Sequence, residues 1–250
     1  MIKLPLVPQI PTDNVFNDHG NRGQSRLTDF QIRKVIYSEI ISSIIAECPS
    51  RIVNEMAICC GEARVDIAVI NGKLHGFEIK SEADTLARLP GQVSAYNQVF
   101  DTMTIICGKN HLDSIAKMVP DWWGIYLAKI NWGKVELTKW RCAETNQSVN
   151  SLALAQLLWK SEMLTLLADA GIKKGVSSKP CRDLWKKVSE TFSTEVLQSK
   201  VREILKFRED WRPGLQQMWC GSLFQPVSTF ENCQGRPDFE RIGQCIGLHY

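Results

Sequence analysis

The sequence predicts a mixed α/β fold, in which helices flank a sheet. The apolar pattern changes between helical spacing and short strand-length runs, in the order helix, strand, hairpin, helix, strand, helix, hairpin. The clearest signal is Asn71-Gly72, a dipeptide that favours tight turns and lies here between two runs rich in β-branched residues. Hydrophobic residues make up 44% of the chain and charged residues 23%, as in ordinary globular proteins.

The chain is expected to begin with an irregular arm over residues 1–27, which are rich in proline, glycine, asparagine and aspartate. A helix should begin at Thr28 or Asp29, either of which can cap it, and should end near Ala46. A first strand is expected over residues 51–58. The apolar residues that recur at helical spacing in the first helix are Ile32, Val35, Ile36, Ile40 and Ile44.

The length of the hairpin loop decides where two acidic residues point. A two-residue loop would place Asp66 and Glu78 on opposite faces, because a shift of one residue reverses every side chain. A three-residue loop, Ile70-Asn71-Gly72, sets Asp66 opposite Gly76 and brings both acids to one face. We therefore predict that loop, with Gly72 in a left-handed conformation and a bulge. In this register, the other face carries the apolar residues Val65, Ile67, Val69, Phe77 and Ile79.

This register predicts a metal site on the hairpin. Asp66 and Glu78 would be diagonal neighbours, with Cβ atoms about 7–8 Å apart. Two carboxylates at that spacing can bind one ion, and oxygen ligands completed by water and phosphate are typical of Mg²⁺. Lys80 lies on the same face, where its ammonium could orient a water or offset negative charge.

These residues resemble the signature of a known superfamily. Asp66, a gap of eleven residues and Glu78-Ile79-Lys80 are similar to the motif of the PD-(D/E)XK nucleases. The resemblance covers roughly residues 28–140, and the string over residues 78–89, followed by Gln92 and Tyr96, resembles an uncharacterised prokaryotic branch. Val65 stands where the name-giving proline would be, a proline that many members lack.

The resemblance implies a restriction-endonuclease-like fold and a nuclease, an endonuclease or an exonuclease, that hydrolyses phosphodiester bonds, in DNA rather than RNA. It implies that Asp66, Glu78 and the backbone carbonyl of Ile79 bind Mg²⁺, for which Mn²⁺ would substitute. Lys80 would position the attacking water. Gln92 matches a helix glutamine that many members place near the scissile phosphate.

Five further residues near the signature have a functional and a structural interpretation. Glu55 is a candidate for the metal shell, because the related branch tends to place an acid in the first strand. Arg64 and Arg88 are candidates for contacts with nucleic-acid phosphates, although a structural role is favoured for Arg64. Glu39 is expected on the surface of the first helix, and Tyr96 is expected in the core.

Downstream of the signature, Pro90 suits the first turn of a helix. Residues 102–107 are mostly β-branched, which predicts a central strand paired with the strand of Glu78. A short helix is expected over residues 112–118, and a second hairpin over residues 122–128 and 135–141. The tryptophans of this region are expected to pack in the core or to cover the edge of the sheet. The alternative is that they stack on the bases of a nucleic acid.

The nuclease-like domain is expected over residues 28–145. Residues 151–212 have helical periodicity, carry twelve basic and eight acidic side chains and predict three helices, over 151–170, 181–192 and 193–212. This mildly basic segment could read nucleic acid, dimerise or pack against the sheet. Residues 213–250 are expected to form an irregular tail.

Several classes are excluded by pattern. The chain has no run of 18 apolar residues and no secretory leader, so we expect a cytoplasmic protein without membrane contact. The nine cysteines are scattered, which indicates reduced thiols. No motif is typical of dinucleotide-binding, P-loop, serine-hydrolase or zincin chemistry.

Three interpretations of function stay open. The first is a Mg²⁺-dependent nuclease that acts on nucleic acid, alone, as a homodimer or with a protein partner. The second is a catalytically inactive nuclease fold that binds nucleic acid or a partner, which Asp66 and Glu78 on opposite faces of the sheet would favour. The third is an accidental motif, in which Glu78 and Lys80 form a salt bridge in an unrelated α/β domain.

Overall fold

The structure is a computed structural model that describes residues 27–209, 211, 216–220 and 223–226. The fold is mixed α/β, with helices on both faces of a mixed sheet, as the sequence predicts. Within these residues, no helix combines the length and the apolar character needed to cross a membrane. The arm predicted over residues 1–27 lies outside the described residues, apart from Leu27.

One sheet forms the centre of the molecule. Its strands are β1 Ser50–Ile58, β2 Ala63–Ile70, β3 Leu74–Lys80, β4 Thr102–Gly108, β5 Gly124–Asn131, β6 Lys134–Arg141, β7 Gln216–Cys220 and β8 Leu223–Pro226. They lie in the order β6-β5-β4-β3-β2-β1-β7-β8. Strands β3, β4 and β5 are parallel to one another, and the other neighbours are antiparallel. The predicted central strand, β4, therefore pairs with the strand of Glu78 as expected.

Helices cover the sheet on both faces. They are α1 Asp29–Val35, α2 Ser42–Glu47, α3 Leu89–Asn97, α4 Leu112–Met118, α5 Ser151–Ala155, α6 Lys160–Asp169, α7 Cys181–Thr191 and α8 Thr194–Phe207. A π-helical segment, Ile36–Ile41, joins α1 to α2 without a break. The predicted first helix is thus confirmed, and Thr28 caps it by accepting a hydrogen bond from the backbone N–H of Gln31.

Two apolar clusters hold these layers together. The cluster on one face packs α3 to α8 against the sheet, and the cluster on the other face packs α1, the π-helical segment and α2. The C-terminal helices therefore share a core with the sheet. Buried Asp101 ties α8 to this core, because it accepts hydrogen bonds from the Leu74 N–H (2.7 Å), Gln198 (2.7 Å) and Arg202 (2.9 Å).

The prediction of one helix over residues 151–170 is wrong, because the chain breaks between α5 and α6. The Glu162 carboxylate accepts the N–H of Trp159 (2.7 Å), which starts a new helix there. Arg208 holds the break in place by bonding Glu162 (2.6 Å) and the carbonyl of Leu157 (2.8 Å).

The prediction of an irregular chain over residues 213–250 is also corrected in part. Strand β7 pairs antiparallel with β1, and β8 pairs with β7, so this part of the chain extends the sheet. The apolar residues of these two strands form short runs without clear alternation, which is why the sequence does not indicate strands there. The remaining residues of the stretch lie outside the described part of the chain.

The predicted hairpin register needs a correction of its own. Ile70 pairs with Leu74, so the loop is Asn71–Lys73 and not Ile70-Asn71-Gly72. The side chain of Asn71 accepts the N–H of Lys73 (2.9 Å), which closes the loop while Gly72 stays outside the left-handed region and the ladder has no bulge. This register buries Ile70 and Leu74, whereas the predicted loop would have exposed Ile70.

The apolar faces of the hairpin are sorted as predicted except at one residue. Ile67, Val69, Phe77 and Ile79 pack together in the cluster beneath α1. Val65 joins the opposite cluster instead. The neighbouring strand is distorted at this level, where Glu55 has a φ of 52°, a conformation uncommon for residues other than glycine.

Candidate active site

Three acidic residues stand in a row across adjacent strands. The register between β1 and β2 places Glu55 level with Asp66, and the register between β2 and β3 places Asp66 level with Glu78. Neighbouring strands are about 4.8 Å apart. Asp66 and Glu78 are therefore direct neighbours across the strands, closer than the diagonal arrangement that the sequence predicts.

Glu78 is buried and fully hydrogen-bonded, with 1% of its surface exposed. One carboxylate oxygen accepts from Lys80 Nζ (2.6 Å) and from Gln92 Nε2 (2.7 Å). The other oxygen lies 2.8 Å from the hydroxyl of Tyr96. Helix α3 thus supplies two of the three partners, and its packing on the sheet fixes the orientation of Glu78.

Lys80 ends β3 on the same face as Glu78 and is also buried. Removing two charges from water is costly, so a buried pair needs close geometry to be tolerated. Here the contact is short, and further hydrogen bonds satisfy the carboxylate. The Glu78–Lys80 pair is therefore fixed in one geometry by its surroundings.

Asp66 is the acid whose protonation is most altered. Burial, followed by the nearby charge of Glu78, raises the pKa of Asp66 to about 7, although the N–H of Ile79 (2.7 Å) and Arg33 act in the opposite direction. Asp66 therefore keeps its proton to a higher pH than an ordinary aspartate does.

The hydroxyl of Tyr96 connects Glu78 on β3 to the backbone of β2. It lies 2.6 Å from the carbonyl oxygen of Arg64 and 2.8 Å from Glu78. The hydroxyl has one proton, and the carbonyl can only accept. The hydroxyl can therefore donate to only one of these two acceptors at a time, while its oxygen accepts from Gln92 Nε2 (3.2 Å). Burial and the charge of Glu78 also raise the pKa of Tyr96, which keeps it neutral.

The donors around this acid pair suit Mg²⁺. Gln92 Oε1 is buried and has no hydrogen-bond partner in the part of the chain that the structure describes. A buried acceptor without a partner is unusual and points to a missing donor or cation. Two carboxylates and an amide oxygen fit Mg²⁺, which keeps several waters. Among the described residues, no three His, Cys, Asp or Glu side chains form a group that could hold a metal ion.

Arg33, on α1, lies between the first two acids of the row. Its guanidinium is 3.1 Å from Glu55 and 3.6 Å from Asp66, and it also donates to the backbone carbonyl of Asp66 (3.0 Å). Burial lowers the pKa of Arg33, but the carboxylates of Asp29, Asp66 and Glu55 outweigh it, so the net shift is upward. Glu55 therefore pairs with Arg33.

The structure brings together most of the predicted site. Asp66, Glu78, Lys80 and Gln92 converge at the ends of β2 and β3 beside α3. Tyr96 is in the core as expected, yet its hydroxyl also contacts the site.

Other predicted residues lie outside this group. The side chains of Arg64 and Arg88 are exposed, as is Glu39 on the π-helical segment. The contact of Ile79 with Asp66 is made by its N–H and not by its carbonyl. Arg33 was missed, because a basic residue near a helix start carries no signal for a contact with a strand more than 30 positions away.

Comparison with known proteins places these features in a family. A family model described as "Bacteriophage P4 protein cII" matches residues 27–220. "Protein cII" of Enterobacteria phage P4 is 29% identical over 154 residues, which are 62% of this chain and 56% of that protein. The chain thus spans little more than half the length of this relative. No solved structure matches.

Proposed function

The chain belongs to the bacteriophage P4 protein cII family, and we propose that it is a metal-dependent nuclease that hydrolyses phosphodiester bonds, in DNA rather than RNA, in the cytoplasm. The observation that carries this proposal is the convergence of Asp66, Glu78, Lys80 and Gln92 from two strands and one helix. Two carboxylates beside a lysine can bind a catalytic cation and stabilise the charge that develops when a phosphate ester is hydrolysed.

The groups that would hold Mg²⁺ or Mn²⁺ are the carboxylates of Asp66 and Glu78 and Oε1 of Gln92. The resemblance to the PD-(D/E)XK nucleases adds the backbone carbonyl of Ile79. When bound, the ion would polarise the phosphoryl group and lower the pKa of a water molecule. A proton on Asp66 would leave as the cation binds, because the proton and the cation compete for the same oxygens.

The protein's own groups would place the substrate and stabilise its charge. Lys80 is buried beside Glu78. Its ammonium would therefore act in a site shielded from bulk solvent, where it would orient the attacking water and offset the charge that develops on the phosphate. Tyr96 and the amide N–H₂ of Gln92 would hold Glu78 in its orientation.

A second candidate is a nuclease fold that binds nucleic acid without cutting it. The observation that favours it is the pairing of every acid in the row with an internal cation. Arg33 lies against Glu55 and Asp66, and Lys80 lies against Glu78. A protein that has replaced its metal ion with these cations would bind but not cleave.

A cleavage assay separates the two candidates. Plasmid, linear duplex, single-stranded DNA and RNA would be incubated with Mg²⁺, Mn²⁺ or a chelator. We expect cation-dependent cleavage that falls about 10²- to 10⁴-fold in Asp66→Ala and in Lys80→Ala. Lys187→Ala, which changes an exposed lysine on α7, is the matched control. Cleavage that survives both site variants would contradict the proposal.

A further inference from the structure

We propose that the β5–β6 hairpin is an arm that binds a single strand of nucleic acid next to the candidate active site by stacking an unpaired base on Trp132. The proposal rests on the proposed function in that it assumes a nucleic acid at the acid pair. Four observations support it: the exposure of Trp132, its backbone conformation, the position of the arm and its charge.

Trp132 is at the tip of the hairpin and 96% of its surface is exposed. Tryptophan is among the largest apolar side chains, and burying it stabilises a fold. A fully exposed tryptophan does not contribute this free energy to folding. In contrast, the neighbouring Trp123 is buried and hydrogen-bonded to Asn97 (2.9 Å). The core explanation therefore holds for Trp123 and not for Trp132.

The backbone at the tip is unfavourable for a tryptophan. Trp132 has a φ of 49° and Gly133 a φ of 77°, as in a two-residue type I′ turn. The first of these positions favours Asn, Asp or Gly, because larger residues are strained at positive φ. The described part of the chain supplies no packing that offsets this strain. A tryptophan here is explained by a contact outside the fold.

The arm lies at the same edge of the sheet as the acid pair. Lys80 at the end of β3 is level with Cys107 on β4, which is level with Leu127 on β5. Strand β5 continues to Asn131, about 13 Å further at 3.3 Å per residue, and lies about 10 Å sideways from β3. Trp132 is thus within about 20 Å of the site.

The charge of the arm suits a phosphate backbone. Residues 124–141 carry four basic side chains against the single acid Glu136. Arg141 is paired with Asp121, which leaves three lysines. By strand alternation and pairing, Lys129, Lys134 and the acid Glu136 lie on the sheet face that carries Glu78, so a strand leaving the site would meet a net positive charge of one there.

An unpaired base is the ligand that this geometry favours. One exposed aromatic ring at a narrow tip can stack on a single base, and stacking accepts any base. The bases inside a duplex are already stacked on one another, so they offer no free face. The distance of about 20 Å corresponds to about six nucleotides at 3.4 Å per stacked residue.

The test measures the affinity of the full chain for labelled dT15 and for a 15-base-pair duplex, in chelator so that metal-dependent cleavage stops. Trp132→Asn suits the turn and should fold, which a thermal melt verifies. We expect it to weaken dT15 binding about 5- to 150-fold with an unchanged salt dependence, and to leave duplex binding unaltered. Trp132→Phe should restore most of the dT15 affinity.

A charge variant tests the rest of the arm. Lys134→Ala should reduce the slope of log affinity against log salt by about 0.7, the value for one phosphate contact on a single strand. Lys174→Ala changes an exposed lysine between α6 and α7 and should leave the slope unchanged.

The proposal that the arm binds a single strand would be overturned if Trp132→Asn and wild type bound dT15 equally, or if Trp132→Asn lost the same affinity for dT15 and for duplex. It would also be overturned if the wild type were a dimer that Trp132→Asn converts to a monomer without loss of affinity. The two proposals fail separately. Binding that depends on Trp132 without any cation-dependent cleavage would refute the nuclease alone, whereas cleavage with dT15 affinity independent of Trp132 would refute the arm alone.

Discussion

His75 is a partly buried imidazole on β3, one strand position before Gly76. Its Nδ1 lies 2.6 Å from the hydroxyl of Thr102. Burial, reinforced by the charge of Lys73, lowers the pKa of His75 to about 4, and Asp101 opposes that shift only weakly. The folded protein therefore holds this side chain neutral under conditions in which the unfolded chain would protonate it.

This shift predicts a loss of stability in mild acid. The folded pKa lies below the unfolded value of 6.5, so the contribution is present above pH 6.5 and is lost as the pH falls towards 4. Between pH 7 and 5 the loss is about 2 kcal/mol. Urea unfolding at both pH values should show that His75→Gln is less acid-sensitive than wild type. His111→Gln is the control, and equal sensitivity of all three would contradict the prediction.

Single side chains also show what periodicity can and cannot indicate. The helical spacing around Tyr96 correctly predicts a core residue, because burial depends on the apolar ring. It does not indicate where the hydroxyl points, since that depends on the strand beneath the helix. The prediction that Gln92 lies near the site comes from the resemblance to the PD-(D/E)XK nucleases and not from periodicity.

At the scale of elements, α8 is held on the sheet by a polar contact that crosses about 100 positions of the chain. Asp101 is 4% exposed and binds Gln198 and Arg202 of the helix. Removing one partner of a buried ion pair leaves the other charge uncompensated. Asp101 should therefore contribute strongly to the docking of α8, beside the apolar contacts of Leu197, Val201 and Leu205.

We expect Asp101→Ala to lower the free energy of unfolding by about 3–5 kcal/mol. The matched control is Asp121→Ala, which removes a fully exposed carboxylate from its ion pair with Arg141 and should leave stability nearly unchanged. Hydrogen exchange should be accelerated first in α8. Equal losses in the two variants would show that the Asp101 network does not anchor the helix.

The β2–β3 hairpin shows the limit of pattern at this scale. The predicted loop and the observed loop both contain three residues, so they differ by a shift of two positions in the pairing. Such a shift leaves every side chain on the same face, and alternation alone cannot distinguish the two registers. The bond from Lys73 N–H to Asn71 and the burial of Ile70 decide between them.

At the scale of the whole molecule, the acid row depends on contacts between distant parts of the chain. The motif on β2 and β3 is local, and the sequence placed both acids on one face, although as diagonal rather than direct neighbours. Arg33 reaches the row from the opposite face of the sheet, and β7 extends the sheet from beyond residue 213. Neither contact has a local signature, so packing of the complete fold was needed to find them.

The raised pKa of Asp66 predicts that cation binding and pH are coupled. Burial and the charge of Glu78 raise the pKa of Asp66 to about 7, above its usual 3.8. An acid with a raised folded pKa stabilises the fold least above that pKa, so the cation-free protein loses stability as the pH rises from about 4 through 7. A bound cation favours the ionised form. Mg²⁺ binding should therefore release most of one proton at pH 6.5 and almost none at pH 8.5.

Calorimetric titration with Mg²⁺ in two buffers of different ionisation enthalpy measures this release directly. Asp66→Asn should abolish both the binding and the proton release, and in chelator at pH 8.5 it should melt at a higher temperature than wild type, because it removes a buried charge. Asp113→Asn, on the exposed side of α4, should behave as wild type. Mg²⁺ binding at pH 6.5 without proton release would show that the cation displaces no proton from Asp66 and therefore binds elsewhere.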